Sequence, residues 1–107
     1  MRINITARRF KLKEPLRQFT EEEVLRLKKY YDAIVDVEVI LNWEKHDRIT
    51  EIKMLVYGTL LTAEARSEDM KKSIYEAVEK MERQLLKYKD RLRGFDHQRA
   101  VGQRFSA

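Results

Sequence analysis

The chain contains no cysteine. That excludes disulfides, thiolate metal sites and a cysteine nucleophile, and leaves the redox compartment open. One proline and three glycines in 107 residues leave little room for long loops or low-complexity segments. No apolar run approaches the roughly 20 residues of a membrane span. The opening MRINITARRF has no apolar h-region and does not read as a signal peptide. A soluble cytoplasmic protein is the default. The chain also lacks a Ser-His-Asp order, a Gly-rich phosphate loop and a metal-ligand cluster. His46 and His97 have no partner at a defined spacing and read as surface residues. Neither an enzyme, nor a cofactor, nor a small-molecule substrate is expected.

What the chain has in abundance is charge, and the charge is sorted by position. Residues 1–13 carry five basic residues and no acid, and residues 80–107 carry eight basic against three acidic. Residues 14–79 carry ten basic and fifteen acidic, so both ends are +5 and the middle −5. Ordinary surface lysines and a basic tail are the plain explanation. A polyanion laid against two basic segments is the sharper one.

Periodicity orders the chain as β-α-β-β-β-α, an α+β fold. Ile3, Ile5 and Ala7 alternate with polar residues in a short strand. A helix is expected over about 14 to 31, with Pro15 in its first turn and a stripe of Leu16, Phe19, Leu27 and Tyr31. Val35, Val37, Val39, Leu41 and Trp43 alternate in the clearest strand, and the polar Glu44–Arg48 cluster turns it back. Ile52, Met54 and Val56 mark a third strand, Gly58 a tight turn, and Leu61, Ala63 and Ala65 a fourth strand. Ser67 suits the N-cap of a long second helix whose stripe runs from Met70 through Ile74, Val78, Met81, Leu85 and Tyr88 to Leu92, with Gly94 as its stop. The first two strands should be parallel and the last three an antiparallel meander. Only one face of each strand is consistently apolar, so both helices should cover one face of a four-stranded sheet. The other face carries Ile40, Leu55, Tyr57 and Leu60, either partly covered or a contact patch. Trp43 belongs by parity to the core side and reads as packing.

On a helical wheel Lys80, Arg83, Lys87 and Arg91 fall within about 80° of one another, with Gln84 beside them. This basic stripe flanks the core stripe. Cations one turn apart repel unless something neutralises them, and a row of phosphates would. Arg8 and Arg9 follow the first strand; sequence alone does not place them against the second helix.

The run Ser67-Glu68-Asp69-Met70, then Ile74, then Lys80-x-x-Arg83-Gln84-Leu85-x-Lys87-x-Lys89-Asp90-x-Leu92, resembles the second helix of the ribosome hibernation promoting factor family, also called ribosome-associated inhibitors. The opening RINITA, the LRQF helix with its glutamates, and IVDVEVILNWEK resemble the matching parts of that family. The resemblance covers residues 1–93 and implies one ribosome-binding domain, followed by a short basic tail at 94–107. It implies a fold similar to a double-stranded-RNA-binding domain. It further implies a bacterial stress-response protein that binds the small ribosomal subunit and its rRNA, in the channel used by mRNA and tRNA, and silences translation. On that resemblance Lys80, Arg83, Lys87, Lys89 and Arg91 are the rRNA contacts, with Gln84 as a neutral neighbour. Arg8 and Arg9 sit where the family has a polar or basic loop. The protein would be a monomer off the ribosome. The alternative is a general double-stranded-RNA-binding module acting elsewhere.

Overall fold

The computed structural model describes the backbone of residues 1–102 and the side chains of residues 1–92. The elements are β1 (Arg2–Arg8), α1 (Glu14–Leu25), a 3-10 helix (Arg26–Lys29), β2 (Ile34–Glu44), β3 (Asp47–Val56), β4 (Thr59–Ser67) and α2 (Met70–Gly102). The sheet order is β1-β2-β3-β4, with β1 parallel to β2 and the rest antiparallel. Ile3 aligns with Val37, Val37 with Met54, and Met54 with Leu61, so one row of apolar residues crosses all four strands. Val24 and Leu27 from the first helical segment and Ile74, Met81 and Leu85 from α2 close over that face. The expected core residues Val37, Val39, Leu41, Ile52, Met54, Leu61, Ile74, Val78, Met81 and Leu85 are all buried.

Four local expectations are corrected. The first helix keeps α-geometry only to Leu25 and tightens to 3-10 over Arg26–Lys29, bringing Leu27 fully into the core. In β2 the register shifts between Ile34 and Asp36, so Ile34 is buried and Val35 is 48% exposed. A bulge adds one residue to a strand and inverts the parity of everything before it. At α2, Ser67 remains in β4; its Oγ accepts the Asp69 N–H at 3.3 Å, and the helix starts at Met70. Finally, α2 runs through Gly94 to Gly102. A single helical glycine costs about 1 kcal/mol relative to alanine, which a long helix tolerates. Leu92 leaves the core stripe and is 39% exposed. The residues of the expected tail, 94–107, lie outside the described side chains, and 103–107 outside the described residues altogether.

Two hydroxyls meet inside the core, those of Ser73 and Thr50. Ser73 is fully buried, and its hydroxyl donates to Thr50 Oγ1 (2.8 Å) or to the Ala65 carbonyl (3.1 Å). It ties the first turn of α2 to β3 and β4 at once. Ser73→Ala leaves the buried Thr50 hydroxyl with only the weak acceptor Met70 Sδ at 3.8 Å. The expected loss is about 1–3 kcal/mol. Urea unfolding should show a lower midpoint at an unchanged slope.

Candidate nucleic-acid interface

The topology decides which flank of α2 stays open. The helix returns antiparallel to β4, an outer strand of the sheet. One flank faces the 3-10 segment, where Tyr30 and Glu82 line a common cleft and the Glu82 carboxylate raises the Tyr30 phenol pKa. The other flank overhangs the free edge of β4. There Lys80, Arg83, Gln84 and Lys87 line an open groove with Thr62, Ala63 and Glu64. Arg91 extends the same row, and all five helix residues are exposed. From Lys80 to Arg91 the row is about 16 Å long.

Two of these side chains touch the sheet edge. Lys80 Nζ donates to the Glu64 carbonyl at 2.8 Å, and Gln84 Nε2 to the Thr62 carbonyl at 3.3 Å. Both carbonyls belong to the edge of β4 that has no neighbouring strand. An ammonium has three donors, so Lys80 retains two for another partner. This clamp was invisible in the sequence. It needs β4 to be the sheet edge, and then an i, i+4 pair on α2 meets alternate carbonyls.

The candidate cations differ in pairing from Arg2, Arg17, Arg26 and Arg66. Arg2 hydrogen-bonds Asp36 at 2.8 Å and holds that carboxyl below its usual pKa. Arg17 does the same to Glu14 at 2.7 Å, Arg26 bridges Glu23, and Arg66 bridges Asp47. Among the described residues, Arg8, Arg9, Lys80, Arg83, Lys87, Lys89 and Arg91 form no ion pair with a carboxylate.

Not all of them share one surface. Lys89 lies on the opposite flank of α2, half-exposed beside Lys29, Tyr30, Tyr31 and Asp32. Arg8 aligns with Asn42, Asn42 with Ile49, and Ile49 with Arg66, so three strand spacings of about 4.8 Å separate β1 from β4. That row lies at the sheet end where α2 begins; Lys87 and Arg91 lie toward the other end. Arg8 and Arg9 are thus a second basic point, not part of the stripe. Arg9 adopts a left-handed backbone (φ 68) that turns the chain so that Phe10 stacks on Trp43, ring centroids 4.7 Å apart. Arg48 lies over the same indole, 4.2 Å from its centroid. Trp43 is 41% exposed, less buried than its parity implied, yet its faces are taken by Phe10 and Arg48. It packs, as expected, and offers no face to a base.

On the sheet face away from the helices Ile40 and Ile49 are buried, while Leu55 is 38% and Leu60 58% exposed, so that face is partly covered. Among the described residues no helix is long and apolar enough to cross a membrane.

The α+β fold and the residue pattern together define a ribosome-associated class of protein. Residues 3–93 match the model of the sigma 54 modulation protein / S30EA ribosomal protein family, and the chain belongs to that family. It is 34% identical over 91 residues to a ribosome hibernation promoting factor of Azotobacter vinelandii, covering 85% of each chain. It is also 34% identical over 93 residues to the ribosome hibernation promoting factor of Escherichia coli K12, covering 87% of this chain and 98% of the relative. Among solved structures, a ribosomal subunit interface protein from Coxiella burnetii superposes with a TM-score of 0.80 at 30% identity, covering 84% of this chain and 99% of that one. The N-terminal domain of Thermus thermophilus Protein Y gives 0.77 at 25% identity, covering 82% and 99%.

Proposed function

We propose that this protein is a ribosome hibernation factor. It binds the small ribosomal subunit through ribosomal RNA, in the channel used by mRNA and tRNA, and silences translation under stress or in stationary phase. The observation that carries the reading is the exposed row Lys80, Arg83, Lys87 and Arg91 along the β4 edge, without a carboxylate partner among the described residues, in a chain 34% identical to proteins named ribosome hibernation promoting factor. Four cations on a rigid helix neutralise phosphates held in a fixed arrangement, and the ribosome supplies one. The protein works in the cytoplasm by occupancy, as a monomer off the ribosome, without turnover or nucleotide.

The test is a titration. The protein should sediment with ribosomes and come off as salt rises. Inhibition of cell-free translation should saturate near one protein per ribosome. Mismatched geometry should make a free RNA duplex a weaker partner than the small subunit. Equal affinity for a random duplex would instead favour a general RNA-binding module. Inhibition far below one protein per ribosome would point to an enzyme that damages RNA.

A further inference from the structure

The β3–β4 hairpin turns on two residues, Tyr57 and Gly58, between the paired Val56 and Thr59. Gly58 has φ 72, the left-handed position that favours glycine. Tyr57 precedes it at a position that accepts most residues, so the turn itself does not call for an aromatic ring. Yet Tyr57 is a tyrosine, and at 84% it is the most exposed large apolar side chain among the described residues. The other aromatic rings that pair do so internally: Phe10 with Trp43, Phe19 with Tyr75, Tyr31 with Tyr88. Tyr57 forms no aromatic pair among the described residues.

The turn is also fixed in place. The Tyr88 hydroxyl donates to the Tyr57 carbonyl at 3.2 Å, which anchors the turn to α2. Tyr88 lies one residue beyond Lys87 and three before Arg91, in the last described turns of the basic stripe. Gln84 is held at Thr62, so the next turn of the helix reaches the hairpin tip. The Tyr57 backbone is thus pinned to the helix residue next to Lys87, with its ring left exposed. Leu60, in register with Leu55, continues the exposed apolar surface beside it. Cations for the backbone and an aromatic face for a base are the two parts that single-stranded RNA recognition requires.

We propose that Tyr57 is a stacking platform for an unpaired nucleobase of the RNA strand whose phosphates the Lys87–Arg91 end of the stripe neutralises. This rests on the ribosomal RNA reading above and adds a contact that carries no charge. Base–aromatic stacking predicts that Tyr57→Ala and Tyr57→Leu each weaken binding to vacant ribosomes roughly 5- to 100-fold at fixed salt. The salt dependence should stay parallel to wild type, because no phosphate contact is lost. Tyr57→Trp should restore binding. Ultraviolet crosslinking of the wild-type complex, read by mass spectrometry, should join Tyr57 to an RNA nucleotide. Wild-type affinity in the leucine variant would mean a plain apolar contact and overturn the proposal, as would a Tyr57 crosslink only to ribosomal protein. Wild-type affinity in the alanine variant would overturn it while leaving the basic stripe untouched. A wild-type protein that fails to bind ribosomes at all would be a different failure, that of the functional reading itself.

Discussion

Replacing Lys80, Arg83 and Lys87 together by alanine should weaken ribosome binding and flatten its salt dependence, with the fold intact. The three side chains are exposed and line one groove. Each neutralised phosphate contributes roughly 0.7 to 0.9 unit of slope in log affinity against log salt, so three lost contacts remove about two to three units. The wild-type to variant affinity ratio should then grow about 40-fold as salt falls from about 200 to about 50 mM. Surface changes of this kind usually move stability by no more than about 0.5 kcal/mol. The one hydrogen bond lost is that of Lys80 to the Glu64 carbonyl, at a solvent-facing edge where water replaces it. Binding across a salt series, with thermal unfolding as control, decides the matter. Affinity and slope both equal to wild type would remove this flank of α2 from the interface.

The largest stability effect is expected at Ile52. It lies on β3 between Val39 and Ala63, fully buried beneath the helices. Truncation to alanine removes three carbons' worth of packing in a place that can hardly collapse, because strands bracket it on both sides. The expected loss is about 2–5 kcal/mol, against a total of roughly 5–15 kcal/mol for a domain of this kind. For about 100 residues that lowers the melting temperature by roughly 10 °C or more. Leu60→Ala, on the sheet face away from the helices and 58% exposed, should move it by little. Equal effects at the two positions would contradict a core confined to one face of the sheet.

The contrast between those two residues was already legible in the sequence, because a strand repeats every two residues and only one phase was consistently apolar. The same holds for the α2 stripe: Ile74, Met81 and Leu85 follow helical spacing and are buried. The cation row on the next flank follows from the same wheel. Features that depend on how separate elements meet were not legible. The bulge that buries Ile34 and exposes Val35 is set where the chain leaves the 3-10 segment and enters the sheet. Arg8 could not be placed relative to Lys87 until the register across four strands was known. The resemblance grouped Lys89 with the stripe, but the helix turns it toward Tyr31 and Asp32. Gly94 looked like a stop because glycine is common after helix ends, but nothing local enforces an end there.

The clamp of Lys80 and Gln84 on the β4 carbonyls bears on the unbound protein as much as on the bound one. An outer strand with bare carbonyls is a template for another chain, and lysine beside it is a known deterrent. Here the residue that discourages self-association in the free pool is also one that would meet phosphate on the ribosome. On that reading, solubility and affinity depend on the same lysine. A drift to a short neutral side chain would be opposed twice, once in the dispersed protein and once in the assembled complex.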